Sequence, residues 1–450
     1  MLRICSILYF FLIPLVLFGQ HRRVEHVILI SIDGFRPDFY EDANWPAPTL
    51  QYMAREGIQA RGVRGVFPTV TYPSHTTLIT GAKPARHGIY YNTPFEPNGQ
   101  TGAWYWYEES ILVPTLWDAV RSSGGTTASV FWPVSDGAPI DYNIPEIWSL
   151  EGGYETFFEF VKSRVTPADL MEEMEQKATG ELTAATFNGD YLNREGRTGY
   201  MASYLFETYA PNLMTVHLIG VDHFQHAEGR DGLKVRQAVV AVDYAVNQIW
   251  EAVERAGKAD VTTIVVTGDH GFVDIHARLA PNVWLVEAGL MEDAPDRGDW
   301  KATFLTTGAS AFLHLKDPND FETLEQVKKM LEALPEAKKK LFRVLDREDL
   351  DEAGSASDAA LALAPIPGIS MSSTTNGEDL QASGGGTHGF YPDFKEIETG
   401  FLAYGAGVKS GAVATQMGLE DIAPFVAYLL KLDFEAPDGV LYPGLVEQKN

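Results

Sequence analysis

Three aspartates and three histidines stand in four short segments, each a glycine loop or the end of an apolar run. They are Asp33 in ILISIDGF, Asp222 and His226 in HLIGVDHFQH, Asp269 and His270 in VVTGDHGF, and His388 in GGGTHGF. Carboxylate oxygen and imidazole nitrogen are the donors that zinc takes at four coordination. Asp222 and His226 lie one helical turn apart, so both reach the same side, as one ion requires. Asp269 and His270 are adjacent and diverge, which would let them serve two ions a few ångströms apart. Each residue taken alone reads equally well as a helix cap or a satisfied loop group. Together, at strand ends and in glycine loops, they read as a two-metal site. Such a site needs a nucleophile between metal and substrate. The Pro-punctuated loop GVFPTVTYPSH delivers Thr71 just ahead of SHTTLITG, a helix start. A hydroxyl there meets free N–H groups and a dipole that favours anions. Two divalent cations set against three carboxylates leave a local positive excess, although the chain's formal net charge is −26. An anionic phosphate fits that excess.

Something must hold these groups together, and the pattern between them is alternating strand and helix. HVILISID (26–33), TTASVFWPV (126–134), LMTVHLIGV (213–221) and VTTIVVTG (261–268) are continuous apolar runs, as in strands buried on both faces. KVRQAVVAVDYAVNQIWEAVERAG (234–257) puts Val235, Val239, Val242, Val246, Ile249 and Val253 on one helical stripe, with Gly257 as a stop. The expected fold is α/β, a doubly wound, mostly parallel sheet flanked by helices. In such sheets ligands bind at the carboxyl ends of the strands. Residues 141–200 are less regular and rich in aromatic and acidic residues. Residues 285–380 read as an inserted α/β subdomain, with strands at 311–315 and 342–346 and a helix at 320–334. A Gly/Ser-rich loop (370–389) then returns the chain to the core at GFLAYG (400–405).

The chain has 450 residues, 45% hydrophobic and 21% charged, which is ordinary globular composition and excludes disorder, collagen or coiled coil as the main state. Its acidity argues against nonspecific nucleic-acid binding, and no duplex partner is expected. Arg3 followed by ICSILYFFLIPLVLFG reads as a signal peptide over residues 1–20, too short and too interrupted by Pro14 for a span. The single cysteine, Cys5, lies inside it. Cleavage near Gln20 leaves a mature chain without disulfides, without a transmembrane span, and secreted or periplasmic.

The segments IDGFRPD, PTVTYPSHTTLITG, RHGIYYN, VFWPVSD, DHFQH, TGDHGF and GTHGF together resemble the nucleotide pyrophosphatase/phosphodiesterase family of the alkaline phosphatase superfamily. The resemblance covers most of the mature chain. It implies an alkaline-phosphatase-like catalytic domain over about 24–435, with a specificity region at 141–200 and the inserted subdomain at 285–380. It implies two zinc ions, one on Asp222, His226 and His388, the other on Asp33, Asp269, His270 and Thr71. Thr71, rather than Thr69, would be the nucleophile and form a phospho-threonine. Asn92, helped by the Tyr72 backbone N–H, would bind a phosphate oxygen. Several nucleotide-cleaving members carry a base-stacking Tyr five residues before the metal aspartate. Here that position is His217, so His217 and Tyr72 are the substrate-facing candidates, and nucleotide preference is open. His223 and His217 are also candidates for supporting groups, while His75 and His87 read as structural. The expected activity is hydrolysis of small-molecule phosphodiesters or phosphoanhydrides. A phosphomonoesterase is the alternative, disfavoured because VFWPVSDGAP (130–139) has no Lys or Arg for the extra phosphate charge. A sulfatase would need a Cys or Ser nucleophile followed by Arg, which the Thr71 segment lacks.

Overall fold

The computed structural model describes residues 24–152 and 156–446; the expected signal peptide over residues 1–20, with Cys5, lies outside them. Twelve strands matter for the site and its support. The main sheet uses β1 (His26–Ile32), β2 (Ile58–Ala60), β3 (Thr127–Val130), β4 (Tyr142–Ile144), β5 (Leu213–Leu218) and β6 (Thr262–Thr267). A second sheet uses β7 (Ala302–Thr307), β8 (Ser310–Leu315), β9 (Phe342–Leu345) and β10 (Leu361–Pro365). The chain then rejoins the main sheet through β11 (Phe401–Gly405) and β12 (Ala412–Ala414).

The main sheet runs in the order β12-β2-β11-β6-β1-β5-β3-β4. β6, β1, β5, β3 and β4 pair in parallel, and β11 alone runs against its neighbours. β1 sits at the centre, and all seven of its residues are buried. Val27, Ile28, Leu29, Ile30 and Ile32 are each fully covered, worth roughly 1.5–3 kcal/mol apiece in apolar transfer. Its neighbours hold its backbone on both sides, which is why the run is continuous rather than alternating.

Helices α1 (Thr71–Thr80), α2 (Tyr191–Tyr209), α3 (Gly220–Glu228) and α4 (Leu233–Arg255) surround the site, with α5 (Phe321–Glu332) in the second sheet's layer and α6 (Ile422–Leu430) near the C-terminus. The α4 stripe from Val235 to Val253 is fully buried, as its spacing requires, and α4 packs along α2. The second sheet is antiparallel, in the order β7-β8-β10-β9, and has its own apolar cluster with Trp284, Phe304, Leu313, Val327 and Leu363.

One expected strand is shorter than its apolar run. The segment 126–134 leaves the sheet after Val130, because Phe131 and Val134 adopt left-handed backbone, with φ of 58° and 55°. A β-branched residue there is strained by about 1–3 kcal/mol, a cost that tends to gather at functional sites. Trp132, between them, packs edge-on against His75.

Candidate active site

The carboxyl ends of β1, β5 and β6 are adjacent in the sheet, and each delivers one aspartate. Asp33 follows β1, Asp222 lies in the first turn of α3 after β5, and Asp269 follows β6. His388 arrives on the glycine loop that pairs with Val273–Asp274. Gly385 in that loop has φ of 81°, and a Cβ on it would stand 2.2 Å from the His226 carbonyl oxygen. Only glycine lets the loop close onto α3 there.

Two clusters result. Asp33, Asp269 and His270 bring one donor atom each within 4.8 Å of one another, as do Asp222, His270 and His388. His226 joins the second cluster, with Nε2 3.3 Å from Asp222 Oδ1, and His388 Nε2 lies 3.6 Å from the same oxygen. The adjacent pair Asp269 and His270 does not diverge as expected: His270 Nε2 is 3.2 Å from Asp269 Oδ2. The alternation of a strand does not apply there, because the backbone has left β6 by Gly268. His270 instead lies between the clusters, its ring stacked on that of His388 at 3.6 Å.

Five of the six donors are aimed by their other polar atom. His226 Nδ1 faces the Gly386 carbonyl at 3.2 Å, His270 Nδ1 the Gly271 carbonyl at 3.0 Å, and His388 Nδ1 the Thr69 carbonyl at 3.0 Å. A proton on each Nδ1 donates to that carbonyl and leaves Nε2 as the free lone pair, the arrangement of metal-bound histidines. Asp269 Oδ1 accepts from the Gly34 and His270 amides, leaving Oδ2 without a partner. Asp33 Oδ2 faces His217, leaving Oδ1 without a partner. Asp222 Oδ1 and His270 Nε2 are likewise buried and unpartnered. Four orphaned atoms converging in one place are costly unless a cation completes them, so the residues fit a pair of divalent ions.

The electrostatics agree. Burial, with the charges of Asp269 and Asp222 close by, pushes the Asp33 carboxyl well above the usual carboxylate range. Burial also raises Asp269. Burial opposes ionisation of Asp222 too, but the surrounding His226, His388 and His270 hold it below the usual range. Burial lowers His270 to about 4 and His388 to about 3, so both are the neutral form that ligates.

Thr71 opens α1, is 8% exposed, and is linked to this group through His75, whose Nδ1 lies 3.8 Å from Asp269 Oδ2. Its hydroxyl has no hydrogen bond among the described residues. Its carbonyl faces His75 Nδ1 at 2.8 Å, which ties the first turn together, so His75 is a support as expected. Thr69 is differently placed. Its hydroxyl donates to the Phe390 carbonyl and accepts from the Gly389 amide, both at 3.0 Å. It clamps the His388 loop. His87 is fully buried, with Nδ1 accepting from the Ile89 amide and Nε2 against the Thr77 hydroxyl. His223 stacks on Tyr191 at 3.7 Å.

The expected substrate-facing residues are Tyr72, Asn92 and His217. The Tyr72 amide donates to Asn92 Oδ1 at 2.9 Å and so orients Asn92, whose NH2 group has no hydrogen bond among the described residues. The Tyr72 ring is fully buried; it packs edge-on against Trp104, which in turn packs against Trp148. Trp104 and Trp148 are both partly exposed. His217 is 2% exposed and lies under the site, not on its wall. Its Nδ1 is 2.8 Å from Glu146 Oε2, and its Nε2 is 3.2 Å from Asp33 Oδ2. Burial opposes its protonation, but these two carboxylates raise it to about 10. Glu146 escaped the sequence reading; its only signal was a lone acid in an apolar-aromatic stretch.

An open α/β sheet with two clusters of Asp and His and a free hydroxyl at a helix N-terminus defines a metal-dependent hydrolase of phosphoric esters. The sequence profile of the type I phosphodiesterase/nucleotide pyrophosphatase family matches residues 27–391. The chain belongs to that family, whose named members are hydrolases of phosphodiester bonds. It is 24% identical to human ectonucleotide pyrophosphatase/phosphodiesterase family member 7, over 92% of this chain and 82% of that protein. It is 23% identical to the venom phosphodiesterase of Naja atra, of which it spans 44%. The fold is similar to that of human ectonucleotide pyrophosphatase/phosphodiesterase 5, with a TM-score of 0.64, 18% identity, and coverage of 91% of this chain and 96% of that one. It is also similar to an inactive form of the murine protein in complex with AMP, with a TM-score of 0.65, 18% identity and the same coverage of 91% and 96%.

Proposed function

We propose that the chain is an exported two-zinc phosphodiesterase or nucleotide pyrophosphatase that works through a phospho-threonine intermediate. The observation that carries this is the Thr71 hydroxyl, without a hydrogen bond at the start of α1, together with six Asp and His donors of which four present unpartnered buried atoms that converge. Asp222, His226 and His388 would hold one ion, and Asp33, Asp269, His270 and Thr71 the other. When bound, the ions would acidify a hydroxyl or water and offset phosphate charge. The three Nε2-directed histidines and the carboxylates of Asp33 and Asp269, each held through one oxygen, keep the site fixed before substrate arrives. Asn92, its oxygen held by the Tyr72 amide, presents its NH2 group to a non-bridging phosphate oxygen. Thr71 Oγ1 attacks phosphorus in line with the leaving oxygen; the P–O bond to that arm breaks, and the phosphoryl group stays on Thr71. Water then attacks the same phosphorus from the vacated side and frees the hydroxyl. His226, the most exposed of the six, marks the open side of the site.

Diesters are favoured over monoesters. Among the described residues, no lysine or arginine is hydrogen bonded or ion-paired to Thr71, Asn92 or the six metal-binding candidates. The additional charge of a monoester thus lacks a protein cation. The second arm of a diester has Trp104 and Trp148 to lie against. The murine relative's complex with AMP supports a nucleotide as one such arm. Among the described residues no helix is long and apolar enough to cross a membrane; export rests on the sequence of residues 1–20. The test is a substrate panel of nucleoside, dinucleoside and glycerol phosphodiesters with matching monoesters, compared by kcat/KM. A monoester preference of about tenfold or more would replace this reading with the phosphomonoesterase.

A further inference from the structure

Beneath the metal-binding candidates runs a buried polar chain that the proposed reaction does not use. Tyr72 donates its hydroxyl to Glu146 Oε1 at 3.2 Å. Glu146 Oε2 faces His217 Nδ1 at 2.8 Å, and His217 Nε2 faces Asp33 Oδ2 at 3.2 Å. The four residues come from separate places: α1, the turn after β4, β5, and the end of β1. Tyr72 and His217 are almost wholly covered, and the side chain of Glu146 is 14% exposed. Among the described residues Asp33 has no other side-chain hydrogen bond, and no backbone amide holds its carboxylate. Asp269, by contrast, is fixed by two amides. The hydrogen bond that sets the Asp33 carboxylate therefore comes from His217, with His270 Nε2 3.4 Å from its other oxygen, and Glu146 is what fixes the His217 ring. Among the described residues its only other hydrogen-bond partner is the strained Phe131 carbonyl, at 3.2 Å, and the His75 ring packs edge-on against it.

We infer that Glu146 is a positioning residue: through His217 it turns Asp33 so that Oδ1 faces the cluster with Asp269 and His270, and so specifies that one metal site and not the other. This rests on the proposed function, because it takes the cluster to be a zinc site. Groups that orient metal ligands typically contribute 10- to 100-fold in metal affinity. Only one cluster is downstream of Glu146. Asp222 and His226 ride on α3, and His388 on its glycine loop, none of them bonded to His217.

The experiment is a zinc titration of the metal-stripped full chain by calorimetry with a competing chelator, which reads two binding steps without catalysis. An Asp222→Ala chain identifies which step belongs to which cluster. For Glu146→Ala the step assigned to the Asp33 cluster is expected to weaken about 10- to 100-fold, with the other step unchanged. Glu146→Gln keeps the shape and one acceptor oxygen, and is expected to regain part of that loss while staying folded. In turnover, kcat should fall with little change in KM. Equal weakening of both steps, or neither step changed while the melting temperature falls, would show a general structural role and overturn the assignment. A wild-type chain that takes up no zinc overturns the proposed function itself, a result distinct from a wild-type pair of steps that Glu146 fails to move.

Discussion

Thr69 and Thr71 stand two residues apart in one motif, and the structure gives them opposite jobs that two alanine substitutions separate. The Thr69 hydroxyl is buried and makes two hydrogen bonds, to the Phe390 carbonyl and from the Gly389 amide. Removing it leaves the carbonyl without this donor, while the Gly389 amide still reaches the Thr69 carbonyl at 2.9 Å. One lost buried bond with partial rescue costs about 1–3 kcal/mol. At the scaling of large domains that lowers the melting temperature by a few degrees. The His388 loop is also loosened, since His388 Nδ1 rests on the Thr69 carbonyl, so turnover should fall modestly, by roughly tenfold. Thr71 has no such bond to lose, so Thr71→Ala should change stability by no more than about 0.5 kcal/mol. It removes the nucleophile, however, and kcat should drop by at least about 10³ while most of the metal content remains. The assay pairs steady-state hydrolysis of a chromogenic aryl phosphodiester with calorimetric melting and metal analysis of each variant. An active Thr71→Ala chain beside a dead, normally stable Thr69→Ala chain would refute the assignment.

Metal analysis of the purified chain should give two zinc ions, about 4 Å apart as in two-metal hydrolases; one ion or none, with activity surviving chelation, would be incompatible with the site. A methyl or aryl phosphodiester should exceed its monoester in kcat/KM by about 10- to 100-fold, the worth of roughly 1–3 kcal/mol of apolar burial, and Trp148→Ala should remove most of that margin. His87 should make the fold acid-sensitive. Burial lowers it from 6.5 to about 3, so between those values the unfolded chain binds a proton that the folded chain does not. Its contribution is complete above pH 6.5 and is lost as pH falls towards 3, at up to about 1.4 kcal/mol per pH unit. Denaturant melts of wild type and His87→Gln across pH 4–7 should show a shallower slope for the variant; identical slopes would remove His87 from the acid response.

What the sequence made legible, and what it hid, follows from how far each signal reaches along the chain. A buried parallel strand writes itself as a continuous apolar run, and β1, β5 and β6 all stand where such runs stand. Since ligands gather at the carboxyl ends of such strands, the polar residues closing those runs were readable as one site. Asp222 and His226 needed only the pitch of one helix turn. His217 stayed open between a substrate contact and a supporting group for the converse reason. Nothing within five residues of it says which way its ring turns; that is decided by Glu146, about seventy residues away, and by the strand order β5-β3-β4, which puts the turn after β4 within reach of β5. Tyr72 hid in the same way, since its amide is taken by Asn92 and its ring is covered by Trp104. The donors that could touch metal are thus written locally, at strand ends. The groups that aim them come from the tertiary order, and only a folded chain shows that Asp33, unlike Asp269, has no backbone amide to hold it and depends on an imported histidine.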